Sequence, residues 1–149
     1  MKQLFATTIL TIVLLANLNA QETDPFVRFP AISPNGSEIA FEYQGDIWKI
    51  PLDGGLAWRL TIHEGYDAWP VWSNDGKKIA FSGLRFGNYD IFLTSADGGF
   101  PKQLTHHSAS DYVSDWTPDG NILFNTRRTF AQVEREYEIS EVSPGSGTP

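Results

Sequence analysis

With no cysteine in its 149 residues, the chain's chemistry rests on hydroxyls, three histidines and 18 carboxylates. That excludes a cysteine nucleophile, a thiolate zinc site and a disulfide framework. His63 and His107 each stand three residues after a leucine, Leu60 and Leu104, within the same Leu-Thr-x-His phrase. A unique active site is not copied at a regular interval, so both read as structural loop residues. The His106-His107 pair has no helical His or Glu partner at metal-ligand spacing. Ser33 and Ser73 precede turns and lack the Gly-x-Ser-x-Gly setting of a nucleophile elbow, and Asp53, Asp75, Asp97 and Asp119 sit in turn phrases. The sequence therefore predicts no catalytic residue, no metal ligand and no cofactor of the chain's own. What remains is charge: Arg127, Arg128 and Arg135 near the C-terminus, and Asp67 and Asp111 between apolar segments. Arginine forks suit carboxylates and peptide termini. The overall balance of 11 basic and 18 acidic residues, net −7, opposes a nucleic-acid partner, whose phosphates need a basic face.

These residues are set in a repeat. Phe29-Pro30-Ala31-Ile32-Ser33-Pro34-Asn35-Gly36 returns as Trp69-Pro70-Val71-Trp72-Ser73-Asn74-Asp75-Gly76 and as Val113-Ser114-Asp115-Trp116-Thr117-Pro118-Asp119-Gly120. Behind each turn comes an apolar triplet: Ile39-Ala40-Phe41, Ile79-Ala80-Phe81 and, after one deleted residue, Ile122-Leu123-Phe124. A third segment reads Asp46-Ile47-Trp48 and Asp90-Ile91-Phe92, with a degenerate copy at Tyr137-Glu138-Ile139. Asp53-Gly54-Gly55 leads to Arg59-Leu60-Thr61, as Asp97-Gly98-Gly99 leads to Gln103-Leu104-Thr105.

The runs are short, rich in Ile, Val, Phe and Trp, and punctuated by Pro, Asn, Asp and Gly, which predicts strands joined by tight turns. Four such segments per period of 40 to 44 residues are the signature of β-propeller blades. The expected fold class is all-β: four-stranded antiparallel meanders forming two full blades, residues 29–68 and 69–112, and a partial third, 113–149. Residues 21–28 form a linker or first strand. Two full blades leave the ring open, so the segment is expected to be part of a longer protein. Asp67 and Asp111 fall on connections between blades, and the arginines in the longest insertion of the third blade, so these five residues are the candidates for a substrate-guiding rim.

Ahead of the repeat, Lys2 is the sole charge before Glu22, and residues 4–16 are mostly apolar. That run is shorter than the roughly 20 residues that span a bilayer and is laid out as a secretory signal peptide over 1–20, with cleavage after Ala20. It predicts a periplasmic or secreted protein, free of the membrane once cleaved.

The repeat resembles the TolB-type, WD-like propeller. More narrowly, Glu42-Tyr43-Gln44-Gly45-Asp46-Ile47-Trp48, the Leu-Thr-x-His phrase and Ala109-Ser110-Asp111 leading to Trp116 resemble the N-terminal propeller of tricorn proteases. The resemblance implies a non-catalytic propeller that gates or guides peptides to a downstream serine-peptidase core. The implied partners are peptides or proteins, the downstream domains, and further copies of the parent chain. A TolB-like protein-binding propeller, and the propeller of a prolyl-oligopeptidase-type hydrolase or an amidohydrolase, stand as alternatives.

Overall fold

The computed structural model describes residues 25–129 and 137–145, which places the predicted leader and Arg135 outside the described residues. All regular structure described is β. The first antiparallel meander comprises β1 (Arg28–Ile32), β2 (Glu38–Tyr43), β3 (Asp46–Pro51) and β4 (Trp58–Arg59). The second comprises β5 (Tyr66–Trp72), β6 (Lys78–Leu84), β7 (Tyr89–Ser95) and β8 (Lys102–Gln103). The third comprises β9 (Tyr112–Trp116), β10 (Ile122–Thr126) and β11 (Glu138–Val142).

Each first hairpin closes through the turn that its sequence predicts. Gly36 and Gly76 take φ of 72° and 70°, and their amides donate to the Ser33 and Ser73 carbonyls at 2.8 Å. The side chain before the glycine completes the turn: Asn35 Oδ1 and Asp75 Oδ1 each accept from the backbone two residues on, at 3.0 Å, and Ser73 Oγ donates to Asp75 at 2.7 Å. Pro30 and Pro70 cannot donate to a ladder, and both fall in the register breaks of β1 and β5, Arg28/Ala31 and Ala68/Val71.

The meanders pack face to face as propeller blades. One face of blade 2, with Trp72, Ile79, Phe81 and Phe92, is buried against Ala40, Ile47 and Leu60 of blade 1. Its other face, with Ala80, Ile91 and Leu104, is buried against Val113, Trp116, Ile122 and Phe124 of blade 3. Small residues on one side thus receive large rings from the next. The first strands β1, β5 and β9 are unpaired sheet edges that lie against one another and form the inner edge of the array. The propeller is open: Ile32, the blade-1 counterpart of Trp72, is 62 % exposed, and Ile139 of blade 3 is 74 % exposed.

The degenerate third copy has a register one residue away from the one its sequence suggests. Glu138 faces Thr126 as Asp90 faces Gly83, so Glu138, not Tyr137, takes the place of the aspartate that opens β3 and β7.

Candidate functional site

The charged candidates converge at one end of the blades, where β5 and β9 begin and β6 and β10 finish. Asp67 and Asp111 are both fully buried. Arg85 binds Asp67 in a bidentate pair, Nε to Oδ1 at 3.0 Å and Nη2 to Oδ2 at 2.6 Å. Arg128 holds Asp111 in the same way, at 3.4 and 2.7 Å. Each guanidinium also lies over a core ring, 4.5 Å from Phe92 for Arg85 and 5.2 Å from Phe124 for Arg128. The Asp67 and Asp111 amides donate to the preceding blade at Gly45 and Tyr89, both at 2.8 Å.

Asp67 and Asp111, which the sequence places only on connections between blades, are therefore equivalents in successive blades. Their partners hid the equivalence, because Arg85 and Arg128 sit beyond the apolar triplets and one hairpin is a residue shorter. Blade 1 has Val27 and Gly45 at these places and lacks the pair. Gly83 makes the first pair possible, since a Cβ there would lie 2.9 Å from Asp67 Oδ1 and 2.8 Å from the Phe92 ring. These pairs fasten the inner strand of a blade to its second hairpin, and their charges are spent on each other.

A second repeated network lies alongside. Asp46 accepts from Thr61 Oγ1 at 3.3 Å, from the His63 amide at 3.2 Å and from the Arg59 guanidinium. Asp90 accepts from Thr105 Oγ1 at 3.3 Å and from Gln103 Nε2 at 3.1 Å. Gln103 thus stands where Arg59 stands, so Asp90 lacks the arginine that Asp46 has. Burial and, next, the neighbouring Asp111 carboxylate hold Asp90 above the usual carboxylate range. The Nδ1 atoms of His63 and His107 accept the amides of Gly65 and Ala109 at 2.8 and 2.9 Å. Both imidazoles close loops.

Arg127 differs from its neighbour. Adjacent residues leaving a strand point to opposite sides, and Arg127 turns to the end of the blade while Arg128 turns to Asp111. Its guanidinium carbon lies 4.3 Å from the Tyr137 ring centroid. Its Nε is buried with no hydrogen-bond partner among the described residues. With Ala109, Ser110, Tyr112 and Tyr137 it lines a cavity of about 280 Å³. A guanidinium lying on a phenol ring at the edge of a cavity can take a carboxylate through its Nη groups.

The rings extend inward from there. Tyr112 meets Tyr89 at a tilt and Trp69 edge-on, at centroid distances of 5.3 and 5.5 Å, and Trp69 meets Phe29 at 5.0 Å. Sequence reading missed this row, because its members come from different strands of three blades. Nearby, Tyr66 is pushed up to about 12, by burial first and by the Glu42 carboxylate second.

The domain description "Tricorn protease N-terminal beta propeller domain" matches residues 24–149. The chain belongs to the tricorn N-terminal propeller family. It is 40 % identical over 62 residues to Tricorn protease homolog 1 of Streptomyces coelicolor, an alignment covering 42 % of this chain and 6 % of that protein. To the Protein TolB homolog of Chlorobium luteolum it is 40 % identical over 55 residues, covering 37 % and 13 %. The chain thus spans a small fraction of the curated relatives it matches. Among solved structures it superposes on TolB from Acinetobacter baumannii with a TM-score of 0.65 at 23 % identity, covering 83 % of this chain and 31 % of that one. On the tricorn protease crystal structure the TM-score is 0.62 at 23 % identity, covering 70 % and 11 %. At that identity the superpositions establish the propeller fold of this tricorn-family segment and nothing finer.

Proposed function

We propose that this segment guides peptides to the catalytic core of an exported tricorn-like serine peptidase, with Arg127 as the contact for a peptide carboxylate. The observation that carries this reading is the division of labour in Arg127-Arg128. One guanidinium is neutralised by a buried aspartate; the other borders a cavity lined by Tyr112 and Tyr137 and has a buried Nε with no partner among the described residues. Gln44 and Leu84, the residues at the Arg127 place in blades 1 and 2, are exposed although each has its next blade in position. A further blade beside β11 therefore leaves this place accessible. Asp67 and Asp111 act beneath the rim by holding the strands that carry it, and Arg135 is proposed as a further contact on the same insertion.

The test uses the protein expressed from the complete reading frame that carries this chain. Fluorescent peptides with a free C-terminal carboxylate should bind about tenfold or more tightly than their C-terminal amides, and Arg127→Gln should remove the difference. A carboxylate preference that survives Arg127→Gln sinks the assignment. The exported state is checked by sequencing the mature protein, which should begin at Gln21. The matched TolB homolog favours a second reading, a protein-docking propeller with no peptidase; peptide hydrolysis by the intact protein, stopped by a serine-directed inhibitor, decides against it.

A further inference from the structure

The aromatic row along the inner strands carries backbone strain. Phe29 and Trp69 have φ of 51° and 52°, a conformation that bulky residues rarely adopt and that glycine would take without strain. The same strained place in two blades is filled by two different large rings. In blade 3 the corresponding Val113 is buried in the core, and the ring is supplied one residue earlier by Tyr112. Phe29, Trp69, Tyr89 and Tyr112 are each only half-buried, and successive centroids lie 5.0 to 5.5 Å apart. Both residues fall in the register breaks of β1 and β5, and Trp69 packs in part on the core between blades 2 and 3; strain held at a ring whose other part stays open points to use of that open part.

The charges behind the row select the occupant. Asp46, Asp67 and Asp111 are each paired with an arginine, and Glu42 is met by the Gly45 amide at 2.7 Å and by Arg28 at 3.7 Å. Asp90, behind Tyr89, has no arginine but is buried and accepts from Thr105 and Gln103. The carboxylates behind the rings are thus buried and held by donors, and the ring faces are what the wall presents. Tyr112 belongs both to this row and to the cavity of Arg127, so a chain anchored by its carboxylate at Arg127 passes its preceding residues over the rings.

We infer that Phe29, Trp69 and Tyr112 form an apolar subsite for a large uncharged side chain of an extended peptide. This rests on the proposed peptide-guiding role and adds its side-chain preference. Large apolar groups against such rings give discrimination of about tenfold or more over a small polar residue.

The experiment measures, with the intact protein, binding of two sets of carboxylate-terminated peptides, one with Phe and one with Ser at the positions before the terminus. Wild type should prefer the Phe set by about tenfold. Phe29→Gly, which also relieves the positive φ, should cut that preference below about threefold while leaving the Ser set unchanged, and Tyr112→Ser, which also alters the Arg127 cavity, should cut the preference likewise whatever it does to the affinity of both sets. Trp69→Phe keeps a ring and should keep the preference, so a folding defect in the other variants, seen by near-ultraviolet dichroism, does not protect the idea. Equal wild-type affinity for both sets overturns the subsite, as does a preference retained in Phe29→Gly and Tyr112→Ser or lost in Trp69→Phe. Arg127→Gln separates the two proposals: it should weaken both sets equally even if the subsite fails. If wild type binds neither set, both proposals fall.

Discussion

The indole N–H of Trp116 crosses a blade boundary to the carbonyl of Val71, 3.3 Å away, as that of Trp72 reaches Ala31 at 3.0 Å one blade earlier. Blades 2 and 3 are thereby each tied to the inner strand of the preceding blade by one buried aromatic. Trp116→Ala should destabilise the propeller by about 3–5 kcal/mol, the range for deleting a buried large aromatic. Trp116→Phe keeps most of the packing and loses the hydrogen bond, about 1 kcal/mol. Denaturant midpoints of the intact protein check both, and an unchanged midpoint for Trp116→Ala would falsify the interface role.

Breaking one of the bidentate pairs from a single side leaves the other charge buried. Asp67→Ala or Arg85→Ala should therefore cost about 3–5 kcal/mol each. The double variant Asp67→Ala/Arg85→Met should cost much less than the two singles together. A double-mutant cycle that comes out additive would show that the groups do not depend on each other.

Asp90 carries a stability cost at neutral pH. Its folded-state affinity for a proton is raised by burial and by Asp111, so its stabilising share is complete below the unfolded aspartate range and is lost as pH rises through the raised value. Asp90→Asn keeps an acceptor oxygen for Gln103, can turn its NH2 to donate to the Thr105 hydroxyl oxygen, and removes the ionisation. The variant should gain on wild type at pH 7 and lose that gain as the pH falls below the ordinary aspartate range, which thermal melts across pH would reveal. A gain that is the same at acid and neutral pH would refute the assignment.

Tyr66 gives the same sign at the alkaline end. With its hydroxyl pushed up to about 12, stability is lost from about pH 10 upward as the unfolded state releases this proton first. Tyr66→Phe should flatten that decline, and phenolate absorbance at the alkaline end should lose one late-titrating tyrosine in the variant while the raised Tyr89 remains.

The open faces predict the behaviour of the segment alone. Ile32 and Ile139 are exposed on opposite ends of the array, and repeat arrays draw their stability from contacts between neighbours. Residues 21–149 made in isolation should bind apolar dye and associate, while the same residues in the intact protein should not. A monomeric isolated segment with a sharp melt and no dye binding would contradict this.

What the amino-acid order determined is local and periodic. Ser-Pro-Asn-Gly and Thr-Pro-Asp-Gly can close a hairpin by their own dihedral preferences, and the apolar triplets alternate as strands whatever lies beyond them, so the blades, their turns and the inward-facing Trp72 and Trp116 were legible from spacing. The structural place of His63 and His107 was legible too, because a loop cap recurs with its loop. Tertiary structure alone decided how the charges were shared. Arg127 and Arg128 are indistinguishable as neighbours in sequence, yet alternation at a strand end turned one to Asp111 and the other to Tyr137. Asp67 met Arg85 across a ladder that brings together residues 18 positions apart. The row from Phe29 to Tyr112 exists only where three inner strands meet, and no periodicity along the chain marks a contact made between blades.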